Sequence, residues 1–262
     1  MKKPIIVGVG VVILIIGAIV FWKMRPSSEP EKVVAEKKRI VQPVNIIPQE
    51  ERPYIAISPQ ADGRNIVISI NSVQKEAIEV EYELEYQAGT LLQGAFGSFQ
   101  LTTIPATEKI LLGSCSAGGA CTYHEDVRGG SLTSTFGGPE DYSLKTDWKY
   151  IDNKAKEASF SSKDGKFQIE AKTLASTRYI IIGNASGIPK GYKGKIASEP
   201  YSFETSSALS GEATLSIRAA SEESLTILGW DGFAWKNFPT TQDGKLATAT
   251  VSLLPLYVVV TQ

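Results

Sequence analysis

The pair Asp-Gly occurs four times in this chain, at Asp62-Gly63, Asp164-Gly165, Asp231-Gly232 and Asp243-Gly244. Each pair lies between short runs rich in β-branched and aromatic residues. Asp-Gly is a strong tight-turn signal, because both central positions of a type I′ turn need positive φ. Almost no helical periodicity appears after residue 50, so repeated turns of this kind predict an all-β, antiparallel architecture. The clearest strand is AIEVEYELEY, residues 77–86. Ile78, Val80, Tyr82, Leu84 and Tyr86 alternate there with Glu79, Glu81, Glu83 and Glu85. A period of two puts the apolar side chains on one face and the carboxylates on the other. Glutamates on one face of a strand stand about 7 Å apart, so a calcium ion would need further ligands from a neighbouring strand or loop. The plainer reading is a solvated outer face. Other strands are expected at 54–58, 65–70, 94–103, 107–114, 142–150, 166–174, 177–183, 201–206, 212–219, 224–230, 245–252 and 255–261.

The N-terminus has a different character. Residues 5–22, IIVGVGVVILIIGAIVFW, carry no polar side chain apart from the Trp22 indole. At 1.5 Å per residue they span about 27 Å as a helix, close to the hydrocarbon thickness of a bilayer. Lys2 and Lys3 precede the run and Lys23 and Arg25 follow it, while Phe21 and Trp22 suit the interfacial belt. Pro4 fits a first helical turn. A cleaved signal peptide has a shorter apolar core ending in small residues, whereas FWKMRP follows here. The expectation is an uncleaved, single-pass transmembrane helix over 5–22 with residues 1–4 as a cytoplasmic tail. The flanking charge favours the opposite orientation. Lys23, Arg25, Lys32, Lys37, Lys38 and Arg39 all follow the run closely, and the positive-inside rule counts them. The extracytoplasmic placement of the C-terminal part therefore rests on the short N-tail and on the cysteine pair discussed below.

Residues 23–52 read as a charged, proline-containing linker, extended and mostly disordered over its Pro, Glu and Lys-rich part at 26–52. The polar stretch IDNKAKEAS at 151–159 suggests a boundary between two β-sandwich domains, 53–153 and 154–262. One larger β domain with this stretch as an ordinary loop is the alternative.

The last sixty residues resemble the C-terminal half of ZU5-like β-sandwich modules of bacterial surface proteins. The resemblance lies in GEATLSI (211–217), SLTILGWDGFAWKNFPTT (224–241) and GKLATATVSLLPLYVVV (244–260). It implies a sandwich fold with a structural or adhesive role and a bacterial source. The part before residue 150 is similar to immunoglobulin-like domains only in its short alternating strands, since the Cys…Trp…Cys spacing is absent.

One segment concentrates unusual residues: GSCSAGGACTYHEDVRGG, 113–130, holds both cysteines and the only histidine of the chain. Cys115 and Cys121 enclose five small residues, which present no steric obstacle to a disulfide-closed loop. Free thiols, or a metal site adding His124 with Glu125 or Asp126, are the alternatives. C-x5-C-x2-H is not a usual zinc spacing, so no metal ligands are assigned. A Ser-His-Asp hydrolase would have to use His124, but neither Ser114 nor Ser116 sits in a G-x-S-x-G elbow. Ser72-Val73-Gln74-Lys75 matches S-x-x-K without its companion motifs. No G-x-x-x-x-G-K-[ST] phosphate loop occurs. No catalytic residue and no cofactor is assigned. Trp230, Phe233 and Trp235 cluster about the Asp231-Gly232 turn and, with His124, are the candidate binding residues. The two tryptophans also fit a sandwich core.

Net charge is −1 and the β region has no long basic run, which excludes nucleic acid as a partner on electrostatic grounds. The expectation is a plasma-membrane protein, anchored in the lipid bilayer through 5–22. Its extracytoplasmic β domains would bind a surface protein or glycan, or serve structurally. A carbohydrate- or peptide-binding module and a hydrolase or metal site at His124 are the alternatives.

Overall fold

A computed structural model of the protein describes residues 43–261. The expected transmembrane helix at 5–22 and most of the expected linker lie outside them. Among the described residues, no helix is long and apolar enough to cross a membrane. The described residues form one compact unit.

The described chain is all-β. Its first strands are β1 (Tyr54–Pro59), β2 (Asn65–Ser72), β3 (Glu79–Ala88), β4 (Leu91–Gln100) and β5 (Ala106–Leu111). Then come β6 (Gly113–Cys115), β7 (Cys121–Tyr123), β8 (Val127–Gly137), β9 (Tyr142–Asp152) and β10 (Ser159–Ser161). The second half holds β11 (Phe167–Glu170), β12 (Tyr179–Asn184), β13 (Lys195–Ile196), β14 (Tyr201–Thr205) and β15 (Glu212–Arg218). It ends with β16 (Leu225–Trp230), β17 (Trp235–Phe238), β18 (Thr241–Asp243), β19 (Leu246–Ser252) and β20 (Leu256–Thr261). Short 3-10 turns cover Gln49–Glu51 and Lys172–Ser176.

The strands form antiparallel sheets. The largest runs β17-β16-β20-β14-β12-β9-β8-β3-β4, with β13 added beside β20. Smaller sheets are β1-β2-β5, β10-β11-β15-β19-β18 and the hairpin β6-β7. Two cores use opposite faces of the large sheet, and the alternation of β12 shows how. Ile181 belongs to a core with Ile57, Ile66 and Ile68 of the three-stranded sheet and with Tyr86 and Trp148. Ile180 and Ile182 belong to a core with Phe167, Ile169, Leu215 and Ala249 of the five-stranded sheet. Side chains on one strand that point in opposite directions thus feed two cores, as a period of two requires. A smaller cluster joins Tyr54 and Ala56 of β1 to Leu256, Val258 and Val260 of β20. The polar stretch 151–159 carries the chain from β9 to β10, and strands on both sides of residue 153 belong to the same large sheet.

Several local expectations change. The four Asp-Gly turns are present, and Gly63, Gly165, Gly232 and Gly244 all have positive φ. The aspartates do not, so these are not type I′ turns. In three of the four, the Asp side chain takes up turn N–H groups. Asp62 accepts from Arg64 (2.8 Å) and Asn65 (3.1 Å), Asp164 from Lys166 (3.1 Å), and Asp231 from Phe233 (2.9 Å) and Ala234 (2.8 Å). Ile78 lies outside β3 and is exposed, so the buried stripe of that strand starts at Val80. The expected strand 166–174 stops at Glu170, where the 3-10 turn takes over. Residues 43–52, the end of the expected linker, lie against the β region. Val44 bridges to Ser143, and the Asn45 side chain exchanges hydrogen bonds of 2.9 and 3.0 Å with the Lys145 backbone. A carboxamide that mimics a strand backbone binds the otherwise open side of β9 in this way.

Candidate functional site

The disulfide is formed: Cys115 and Cys121 face each other at the end of the β6–β7 hairpin, with Cα atoms 4.0 Å apart. The next pair inward toward the tip, Ser116 and Ala120, is hydrogen-bonded (2.8 Å). The cysteines therefore occupy a non-hydrogen-bonded position, where opposed side chains come closest. With both sulfurs joined, neither is a thiolate ligand, and the Cys-Cys-His metal arrangement is not built. Among the described residues, no group of three or more His, Cys, Asp and Glu converges on a metal position. Replacing both cysteines by serine should lower stability by about 2 kcal/mol, the loop-entropy value for so short a ring. Denaturant titration measures this, and intact mass should rise by two hydrogens on reduction of the wild type. Finding free thiols in protein isolated from its source cells without reductant would refute the bridge.

The hairpin leads directly into an open cleft of about 840 Å³. Five segments build it. The turn after β1 supplies Asp62, Gly63 and Arg64; the end of β7 and the following loop supply Tyr123 to Asp126. Arg128 comes from β8, Tyr150 and Asp152 from β9, and Tyr179 from β12. Specific contacts fix the wall. The Arg64 guanidinium lies 4.2 Å from the centre of the Tyr123 ring, a cation–π stack that holds both side chains at the rim. The Tyr150 hydroxyl donates to the Gly63 carbonyl at 3.4 Å, and the Tyr150 and Tyr179 rings are 5.9 Å apart. Gly63 is required for more than its φ: a Cβ there would come 2.3 Å from the Tyr179 ring. Asp152 pairs with Arg178 (2.5 Å) and Lys154 (3.1 Å). Arg128 is the extra residue of a β-bulge, since Gln87 pairs with Gly129 but Ala88 with Val127. The bulge turns Arg128 out of the ladder and toward the cleft.

His124 forms the inner wall. Its backbone N–H donates to Leu112 O (2.9 Å) and its Nδ1 lies 2.9 Å from the Tyr86 hydroxyl. Tyr86 itself is buried against Trp148, and burial raises its pKa above the usual phenol value. The phenol and the imidazole share one hydrogen bond, whose donor is set by the imidazole tautomer. The charges around the cleft nearly balance, with Asp62, Glu125, Asp126 and Asp152 facing Arg64, Arg128 and Lys154. Burial opposes ionisation of Asp62, but hydrogen bonds from Arg64 and Asn65 prevail and lower its pKa, so it stays a carboxylate. Burial also raises the pKa of Tyr150, with Tyr179 and Asp152 adding to the effect. The result is a polar, aromatic-edged surface without a strong net field. Such a surface suits hydrogen bonding and stacking with a polar ligand more than capture of a phosphate.

The other candidate residues are elsewhere. Trp230 and Trp235 stack at 5.4 Å at the far end of the large sheet, partly buried beside Leu228 and Val258. The Trp235 indole N–H donates to Pro189 O (3.1 Å). Phe233 stands 92% exposed at the turn between them. Asp231, at the same turn, is held down to about 2 by the N–H groups of Ala234 and Phe233 and by Lys236. None of these residues lines the His124 cleft. Cleft residues that sequence reading did not single out include Arg64, Tyr123, Arg128, Asp152 and Tyr179, and Asp62 was read there only as a turn residue.

The chain matches no family model, no curated protein and no solved structure.

Proposed function

We propose that the protein is a non-catalytic binding module, tethered to a bacterial plasma membrane by residues 5–22, with its β region extracytoplasmic. It would present the Tyr123–His124 cleft to a polar surface ligand, a glycan or a peptide. The observation that carries this reading is the cleft itself: five separate segments converge on it, and its tyrosines and paired charges are fixed by mutual contacts. The Cys115–Cys121 disulfide supports an oxidising compartment. The ZU5-like pattern at 211–260 belongs to the same proposal and rests on the residue pattern alone; the large sheet that runs across residue 153 supports one larger β domain over two separate sandwiches. The hydrolase alternative rests on His124. Its Nδ1 is engaged by the hydroxyl of Tyr86 and not by the carboxylate that a Ser-His-Asp triad places there, so binding is the better-supported reading.

Glycan and peptide arrays probed with the full chain in nanodiscs test the proposal. Binding to at least one array is expected, and Tyr123→Ala with Arg128→Glu should weaken it by about tenfold or more, the effect of losing ~1.4 kcal/mol of contact. Silence on both arrays, or binding that the double variant leaves unchanged, would overturn the reading. The orientation has its own test: protease added to intact cells should remove the β region. Protection from the protease would place that region inside.

A further inference from the structure

One end of the large sheet is a strand edge that no other strand covers among the described residues. Among the described residues, β4 pairs with β3 alone and forms the terminal strand of its sheet. It is ten residues long, LLQGAFGSFQ, without a charge, a proline or a bulge. Terminal strands of natural sheets usually carry one of these devices against unwanted pairing. Here Leu92 is 67% and Phe96 83% exposed instead. The hydrogen-bond phase is also defined. Leu101 N–H donates to Ile78 O at 2.8 Å in the register of the β3–β4 pair. Odd-numbered residues of β4 therefore turn their N–H and C=O toward β3, and even-numbered ones turn theirs outward.

The side chains add a charge pattern. Glu85 stands opposite Gly94, Glu83 opposite Phe96, and Glu81 opposite Ser98, all on one face. The lysines of that face, Lys145 and Lys149, are on β9, beyond β8 and remote from the edge. Lys145 reaches Glu85 only at 4.0 Å. Asp147 stands between the two lysines on that face and pairs with Lys163, so the carboxylates of the face are concentrated beside the edge and its lysines away from it. Gly94 and Ser98 are small, so nothing on β4 covers Glu85 or Glu81 from the edge side, while Phe96 stands between them.

We propose that β4 is a docking edge for an extended cationic peptide segment, which joins the sheet as an additional strand. Its basic side chains, four residues apart, lie across Gly94 and Ser98 and meet Glu85 and Glu81. The apolar residue midway between them packs on Phe96. An added strand would stand about 10 Å from β3, two interstrand spacings, within the joint reach of a lysine and a glutamate. Main-chain bonds to Gly94, Phe96 and Ser98 hold the segment, and the alternating pockets select it. A second copy of the chain fits less well. Pairing β4 with itself places the two glutamate columns about 14 Å apart, beyond the Debye length at physiological salt, and so supplies no electrostatic attraction.

The test uses the full chain in phosphatidylcholine nanodiscs, with empty nanodiscs as background. The probe is a labelled seven-residue peptide with lysine, valine and lysine at its second, fourth and sixth positions and threonine at the others. Binding at least tenfold tighter than that of the same peptide with glutamate for lysine is expected. Backbone N-methylation at the second, fourth and sixth positions should abolish it, and Phe96→Ala should weaken it about tenfold. Glu81→Lys with Glu85→Lys should invert the preference between the two peptides. Equal binding of the lysine and glutamate peptides, or retained binding of the methylated one, would overturn the proposal. So would concentration-dependent self-association through Phe96 without peptide binding, which identifies a second copy as the occupant. Because the peptide exchanges act on the wild-type protein, the result does not depend on a variant folding. Peptide binding at β4 can also fail while the cleft still binds its ligand, so this proposal and the preceding one stand or fall separately.

Discussion

Replacing Phe167 by alanine should destabilise the protein by about 3–5 kcal/mol, the range for removing a buried aromatic side chain. Phe167 starts β11 and is fully buried. Its ring centre lies 5.2 Å from Tyr201, 6.1 Å from Tyr257 and 6.3 Å from Phe203. These partners come from β14 and β20, so one side chain from the five-stranded sheet touches two strands of the large sheet. A cavity there cannot close by the movement of one loop, because β11 is fixed at both edges by β10 and β15. The preceding turn adds a constraint. Asp164 accepts from the Ser162 hydroxyl (2.5 Å) and the Tyr201 hydroxyl (2.9 Å). Burial opposes its ionisation, but these bonds and the Lys166 N–H outweigh it and keep the carboxyl below its ordinary range. Urea titration with the wild-type m-value measures the loss. Phe233→Ala, at an exposed turn tip, is the control and should change stability by no more than ~0.5 kcal/mol. A cost below about 1 kcal/mol at Phe167 would mean that this core is not packed as described.

The all-β character was legible because it needs only local signals. Alternation in EVEYELEY and the four Asp-Gly turns each report on neighbouring residues. The longest strand that sequence reading did not find, β8, shows the limit of that approach. VRGGSLTSTFG looks like a Gly- and Ser-rich loop, yet it is an eleven-residue interior strand between β3 and β9. Its composition answers to neighbours distant in sequence. A Cβ on Gly130 would meet the Glu85 carbonyl oxygen at 1.9 Å, and one on Gly129 would meet the Trp148 carbonyl oxygen at 2.3 Å. Leu132, Ser134 and Phe136 carry a buried period of two, and the further burial of Gly129 and Ser131 obscures it. Glycine demanded by close backbone approach cannot be told from glycine in a loop until the partner strand is known.

The site was legible in part for the same reason. His124 and the cysteine pair were visible as rare residues close together in sequence, and the structure places His124 in the wall of the polar cleft beside the hairpin. Arg64, Arg128, Tyr150 and Tyr179 carry no local mark. Arg128 faces the cleft because of a bulge, and Tyr179 because Gly63 leaves it room. The Trp230–Trp235 pair fitted a binding surface or a core by sequence, and the structure packs both rings partly against Leu228 and Val258 while Phe233 stands exposed at the turn.

Glu204→Gln should raise stability at pH 8 by up to about 3 kcal/mol and leave it unchanged near pH 4. Glu204 sits on β14 beneath β1, where the Ser58 hydroxyl donates to its Oε2 at 3.3 Å. Burial pushes its carboxyl up from 4.5 to about 7, and the Ser58 bond only partly offsets this. The same carboxylate and burial together raise the pKa of Tyr54, with burial the larger cause. For a group whose pKa is raised on folding, the native state binds the proton more tightly than the unfolded chain. Its contribution is therefore fully present below the unfolded value and lost as pH rises through the folded one. The window here runs from about 4.5 to about 7, and each tenfold gain in proton affinity on folding corresponds to about 1.4 kcal/mol. Wild-type stability should fall across that window, and the glutamine variant, which still accepts from Ser58 but cannot ionise, should show a flatter profile. Guanidinium titrations of both proteins at pH 4, 5.5, 7 and 8 separate this from a general surface-charge effect, which 0.5 M salt would screen. Parallel profiles for the two proteins would show that Glu204 is ionised in the fold without penalty, and that water reaches it between β1 and β14.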